Sequence, residues 1–256
     1  MASAAARLLF LAGFRVTVLE REPPLAVRRR VSFAEAVLSG EVLVEGVRGL
    51  RTAPWEVPAE APGHVPVVVD PDGSTLASLG AAVLVDGRMA KRNLGTARVD
   101  APLVIGLGPG FEAGLDVHAV VETQRGPDLG RVHWAGRAQA DTGVPSPVQG
   151  KTRERVLWAP RAGRFRGAVA IGALVEAGQT VGDVDGVPVA AGISGLLRGL
   201  VADGVVVSGG TKLGDVDPRG TAVDPARLSD KARAVSAGVL EAVLAGRLAG
   251  GGPVRR

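Results

Sequence analysis

Between Ala101 and Arg131 the chain reads APLVIGLGPGFEAGLDVHAVVETQRGPDLGR, a glycine-rich turn at Gly106, Gly108 and Gly110 that runs into a segment carrying Asp116, His118 and Glu122. Side chains two apart in a strand point the same way. An extended 116–124 therefore places Asp116, His118 and Glu122 on one face and Val117, Ala119, Val121 and Thr123 on the other. An imidazole between two carboxylates is a donor set for a divalent metal, and it is equally equipped for general acid–base work. The same alternation also describes an ordinary strand that turns its polar face to water. Spacing alone does not choose, and it assigns no catalytic residue.

The segments that must hold this stretch alternate between helical and extended patterns. Residues 2–12 form an Ala- and Leu-rich helix closed by Gly13, and 14–20 (FRVTVLE) reads as a strand ending at Glu20. Ser32 is placed to cap a short helix through Leu38. A small alternating strand spans 42–47, and buried strands are expected at 65–69, 83–85 and 103–106. Continuous apolar runs between helical segments predict a parallel sheet covered on both faces. Asp70 and Asp86 end two of these runs, where a carboxylate serves either a ligand or a turn.

Dinucleotide-binding folds open with a strand, a glycine-rich turn, a helix, a second strand and an acidic residue for the ribose. Here the helix, the following strand and Glu20 are present, and the sequence opens at the helix. The expectation for 1–150 is an incomplete Rossmann-like α/β domain that lacks the first strand and its glycine-rich turn.

Residues 159–185 and 191–217 repeat without gaps at an offset of 32. Gly163 matches Gly195, Arg166 matches Arg198, Gly172 matches Gly204, Gly178 matches Gly210, and the Gly-Asp-Val-Asp of 182–185 matches that of 214–217. Two short-stranded halves with glycines at matching turns predict a pseudo-twofold β sandwich over 151–222. The pattern resembles the barrel-sandwich hybrid of biotinyl and lipoyl domains. Those carriers bear their modified lysine on the hairpin between the halves, which is 185–189 here and has no lysine, so covalent biotin or lipoate is not expected. Lys212, inside the repeat, sits off that hairpin. From 223 onward a C-terminal helix is expected, capped by Ser229, with Val235, Val239, Leu240, Val243 and Leu244 on one face returning against the α/β part. The tail beyond Leu248 is expected to fray.

Composition removes several function classes. The chain has 256 residues, 46% of them hydrophobic but only 3% aromatic, so its cores must be aliphatic. It has no cysteine, which leaves it no disulfide, thiolate metal site, iron–sulfur ligation or sulfur nucleophile of its own. The net charge of +4 is dispersed apart from Arg28, Arg29 and Arg30 and the surroundings of Lys91. Without an aromatic stacking platform, nucleic acid is not an expected partner. No apolar run is long enough for a membrane span, and a cytoplasmic protein is expected.

Five strings carry a family resemblance: PLAVRRRVSFAEAV (24–37), LVDGRMAKRNLGT (84–96), LVIGLGPGFEAGLDVHAVVETQRG (103–126), LGRVHW (129–134) and GDVDPRG (214–220). Together they resemble the YqeB-type proteins of selenium-dependent molybdenum hydroxylase systems. The resemblance implies an accessory protein for hydroxylases of the xanthine dehydrogenase type, one that helps mature or insert the molybdenum cofactor. Molybdopterin or NAD(P) is the implied ligand and an apo molybdenum hydroxylase the implied partner. Under that resemblance Arg88, Lys91, Arg92 and Asn93, just after a strand end, become candidates to clamp a phosphate or pterin carbonyls. Gly106, Gly108 and Gly110 would add backbone N–H donors, and Glu20 a ribose contact. The alternatives are an NAD(P)-dependent oxidoreductase and a docking scaffold without catalysis.

Overall fold

The computed structural model describes residues 1–60 and 63–248; the tail expected to fray lies outside them. The first part contains helix α1 (Ala2–Leu11), strand β1 (Val18–Glu20), a short helix α2 (Glu35–Ser39), and strands β2 (Glu41–Val44), β3 (Val47–Arg51) and β4 (Val65–Val69). These strands form one sheet in the order β1-β4-β3-β2, parallel except for the β2–β3 hairpin. Helix α3 (Leu76–Leu79) leads to a second sheet made of β5 (Val83–Asp86), β6 (Leu103–Leu107), β8 (Ala119–Val121) and β9 (Val132–His133), in which only β9 is antiparallel. Strands β7 (Glu112–Ala113) and β10 (Gly136–Arg137) pair separately.

The mixed α/β character follows the apolar runs, but the strands of 1–150 divide over two sheets instead of continuing one. Helix α1 explains how both are covered. Its small side chains let two cores approach it, with Ala5 and Leu9 packing on β6 and β8 and Ala6 on the core around Phe33, Val65 and Val67. Helix α4 (Asp230–Leu248) then returns onto the second sheet through Val235, Val239, Ala242 and Val243. The Ser229 hydroxyl accepts the Ala232 N–H at 3.1 Å, as a helix cap should.

The 32-residue repeat builds two four-stranded antiparallel sheets on one aliphatic core. One has the order β15-β14-β12-β17, from β12 (Gly163–Gly167), β14 (Thr180–Val184), β15 (Val187–Ala190) and β17 (Val206–Val207). The other has the order β11-β18-β16-β13, from β11 (Val156–Trp158), β13 (Leu174–Val175), β16 (Gly195–Leu200) and β18 (Lys212–Asp217). Shifting by one repeat carries β12 to β16, β14 to β18 and β13 to β17, so each copy contributes its long hairpin to one sheet and lends a short strand to the other. The 185–186 turn has positive φ at both central residues, 47° at Asp185 and 81° at Gly186, the geometry of a tight hairpin.

Candidate functional site

The opening stretch is built differently from its alternating pattern. Only Ala119–Val121 is a strand in 116–124, and all three of its residues are fully buried. Val120 faces the core around Val104 and Phe111 while Ala119 and Val121 face the α4 side, so no polar face exists. Asp116 lies in a turn and accepts the Glu112 N–H at 3.0 Å. His118 accepts the Val104 N–H on Nδ1 at 2.9 Å, and its pKa is lowered by burial and then by Arg98, both of which favour the neutral ring. Glu122 is 1% exposed and its carboxylate accepts N–H groups of Thr123, Gln124 and Gln139 at 2.6–2.7 Å. Each group stitches backbone, and among the described residues no three His, Asp or Glu side chains converge as metal ligands.

The basic loop after β5 is likewise satisfied from within. Arg88 forks onto Asp86 at 2.6–3.1 Å and reaches the Thr96 hydroxyl. Those bonds hold the buried Asp86 carboxyl below its usual range despite the opposing effect of burial. Lys91 pairs with Asp141, and the Asn93 amide closes a loop onto Gly95 and Thr96. In the glycine turn a Cβ at Gly106 would lie 2.5 Å from the Phe111 ring, and one at Gly110 would lie 2.5 Å from the Arg92 backbone nitrogen. These glycines make room for protein, not for a ligand. Asp70 is a turn former, bonded to both the backbone and the hydroxyls of Ser74 and Thr75.

A cavity of about 1640 Å³ lies where the α/β part meets the repeat module. Its walls include the start of α1, Glu20 at the end of β1, Arg88 after β5, Arg28, Arg155, and the β16 and β18 residues Arg198, Lys212 and Asp215. Of the residues proposed from sequence, Glu20 and Arg88 reach it; Lys91, Arg92, Asn93, the three glycines, Asp116, His118 and Glu122 do not. The two parts are fastened beside it by segment 27–29, whose Val27 carbonyl accepts the Leu200 N–H at 2.8 Å. Arg29 Nε in turn donates to the Leu200 carbonyl at 2.9 Å. Gly199 permits this contact, because a Cβ there would lie 2.7 Å from the Val27 oxygen.

The polar end of the cavity holds more positive charge than it can pair. Asp215 meets Arg155 at 3.3 Å, and Asp217 meets Arg198 at 3.3 Å and Arg219 at 2.7 Å. Arg28 gives Nη2 to the carbonyls of Pro225 and Arg227, and the Lys212 amine makes no hydrogen bond or ion pair among the described residues. The Nε atoms of Arg28, Arg155 and Arg198 are buried with no acceptor. Asp215 Oδ1 is also buried without a donor, so the local carboxylates are not arranged to serve those nitrogens. The electrostatics register the crowding. Burial, then Arg198, pushes Arg28 down to about 10, and burial lowers Arg198 and Lys212 as well. Glu20, also on the cavity wall, is raised by burial. Buried donors without acceptors are costly, and the same three guanidinium side chains line the cavity.

Sequence reasoning singled out Arg28 but missed Arg155, Arg198 and Lys212, which are more than a hundred residues away. The only signal was the asymmetry between the repeat copies, in which Lys212 stands where the first copy has Thr180.

Over 246 residues, 95% of its length, the chain is 47% identical to the uncharacterized protein YqeB of Escherichia coli (strain K12), and it covers 46% of that protein. The similarity thus runs through nearly the whole chain, and the chain spans about half the length of the curated relative it matches. No family model matches. Among solved structures, an aspartoacylase family protein from Mesorhizobium loti is 16% identical with a TM-score of 0.24, over 32% of this chain and 27% of that one. The product-bound ectoine utilization protein EutE (DoeB) from Ruegeria pomeroyi is 20% identical with a TM-score of 0.23, over 32% and 26%. At such scores neither likeness informs the chemistry. Among the described residues no helix is long and apolar enough to cross a membrane.

Proposed function

We propose that this chain is the ligand-holding part of an accessory protein for molybdenum hydroxylases of the xanthine dehydrogenase type, and that it receives a phosphorylated cofactor or nucleotide in the basic cavity. The carrying observation is the set of three buried guanidinium Nε atoms without acceptors, on Arg28, Arg155 and Arg198, around one wall of that cavity. Guanidinium groups match phosphate oxygens in geometry and charge. The donor set therefore fits the phosphate of molybdopterin or of its nucleotide form. Arg28, Arg155 and Arg198 would hold that phosphate while the aliphatic walls from α1 and β5 exclude water. Such a protein protects the molecule and hands it to an apo hydroxylase.

Glu20 on the same cavity supports a second reading, an NAD(P)-dependent oxidoreductase whose dinucleotide places a ribose at that carboxylate and phosphates at the arginines. Native mass spectrometry and calorimetry with inorganic phosphate, pyrophosphate, NAD(H), NADP(H) and molybdopterin nucleotide separate the possibilities. Retention of the pterin nucleotide, weakened about tenfold by Arg198→Ala as loss of one charge-assisted contact predicts, supports delivery. Selective retention of a nicotinamide dinucleotide favours the oxidoreductase. Absence of binding in every case removes the small-molecule reading and leaves a docking scaffold.

A further inference from the structure

Lys212 and Lys231 are the two lysines on the cavity wall, and Lys212 is the one beside the arginine cluster. Arg28, Arg155 and Arg198 each hold at least one acceptor, whereas the Lys212 amine is half-buried among them with no hydrogen bond or ion pair among the described residues. Its neighbouring carboxylate, Asp215, meets Arg155 through Oδ2 and keeps an Oδ1 without a donor, which the Lys212 amine does not bond. A lysine kept for a salt bridge bonds its carboxylate, and a lysine kept for solubility belongs in water. Lys212 has neither setting. It shares its wall with Arg28, Arg155 and Arg198.

We infer that Lys212 is an amine nucleophile that condenses with the carbonyl carbon of a phosphorylated aldehyde or ketone whose phosphate is held by Arg28, Arg155 and Arg198. The inference rests on the anion-binding reading of the cavity and adds the class of compound and the bond made. In the step, the neutral amine adds to the carbonyl carbon. The carbon–oxygen bond then breaks, and the oxygen leaves as water with the two protons of the amine, giving a carbon–nitrogen double bond. No oxidant or reductant is consumed. Lysines become nucleophiles where they are desolvated or crowded by other cations, because both disfavour the ammonium form. Both conditions hold here. Burial is the larger cause of the lowered proton affinity of Lys212, and the charges of Arg155, Arg28 and Arg198 add to it against the opposing pull of Asp215. Phosphate anchoring supplies the other requirement, since a carbonyl tethered beside an amine reacts at a high effective concentration.

The chain has only four lysines, Lys91, Lys151, Lys212 and Lys231, and the Met1 amine also lines the cavity, so the adduct map has five amines to distinguish. Pyridoxal 5′-phosphate serves as the phosphorylated aldehyde probe, pyridoxal as the same aldehyde without phosphate, and pyridoxine 5′-phosphate as the phosphate without the aldehyde. After reduction with cyanoborohydride, peptide mass mapping should place the adduct on Lys212 in preference to the exposed Lys91 and Lys151. The preference should disappear with pyridoxal, and Lys212→Arg should abolish the adduct while still binding pyridoxine 5′-phosphate. Labelling that follows exposure, that centres on Lys231, or that is equal with and without the phosphate overturns the inference. Binding of pyridoxine 5′-phosphate with no Lys212 adduct removes the nucleophile and leaves the phosphate site. Failure of both binding and adduct removes the two together.

Discussion

Arg166 and Arg198 occupy the same place in the two copies of the repeat, yet Arg166 stands in solvent while the Arg198 side chain is 13% exposed and held by Asp217. The same divergence repeats along the hairpins. Thr180 is exposed where Lys212 lines the cavity, and Asp185 is an exposed turn residue where Asp217 is buried. A Cβ at Gly167 would make ordinary contact with Leu200 and Phe165 at 3.5 Å, whereas Gly199 is pressed against Val27. The backbone plan is common to both copies, so the plan is not what makes a site. The second copy lies against segment 25–31 and the turn at 220–222, which remove water from its polar residues. That enclosure turns a sequence of Arg, Lys and Asp into a cluster of buried charges with donors to spare.

Exchanging one residue at a time between the two settings tests this contrast. The largest difference is expected for Asp217→Asn against Asp185→Asn. The first removes the carboxylate that Arg198 and Arg219 share and should cost about 3–5 kcal/mol in urea unfolding, as for other broken buried pairs. The second changes an exposed turn residue and should stay within about 0.5 kcal/mol. Equal costs would mean that the buried copy has no special electrostatic role.

Gly199→Ala should follow, at about 1–3 kcal/mol, because a new methyl must displace the backbone of Val27. Gly167→Ala, with its nearest neighbour at 3.5 Å, should be close to neutral. Comparable losses at both positions would place the constraint in the sheet instead of the junction. Arg198→Ala should weaken phosphate binding about tenfold, or roughly 1.4 kcal/mol, and Arg166→Ala should leave it unchanged by calorimetry.

The smallest effects are expected with pH. Burial raises the Asp217 carboxyl, but bonds from Arg219 and the charge of Arg198 outweigh it and hold its pKa below the ordinary carboxylate value. A depressed folded-state pKa stabilises the fold fully above the unfolded value of about 3.9, and that contribution is lost as pH falls through the folded value. Acid titration of Asp217→Asn should therefore be flatter below about pH 4 than that of the parent chain. At the other extreme, anion affinity should hold until Arg28 begins to lose its proton at about 10 and decline above it. A decline beginning near pH 7 would exclude arginine as the principal donor.

The sequence reading went furthest where geometry is local. The hairpin within 185–189, the cap at Ser229 and the apolar strands expected at 65–69, 83–85 and 103–106 depend on short-range patterns, and each is found in place, the last two strands one residue longer. It went wrong where a residue's surroundings come from elsewhere in the chain. The alternation in 116–124 assumed one wet face, but β7 and Phe111 cover that face, so Val120 is buried and Glu122 turns inward to bond three backbone N–H groups. The basic loop 88–93 was read as open to a ligand, although Asp86, Asp141 and Thr96 occupy its donors.

By itself the sequence determined the mixed α/β character, the duplicated β module, the absence of sulfur chemistry and the lack of a lysine on the inter-repeat hairpin, because composition, turn chemistry and periodicity act over a few residues. Only the tertiary structure decided which of two matching arginines is buried, which aspartates pair with it and which guanidinium nitrogens are left without acceptors. Burial and charge balance are sums over everything within several ångströms, and at this site those neighbours come from residues 28, 155, 198, 212, 215 and 217, which no local pattern connects.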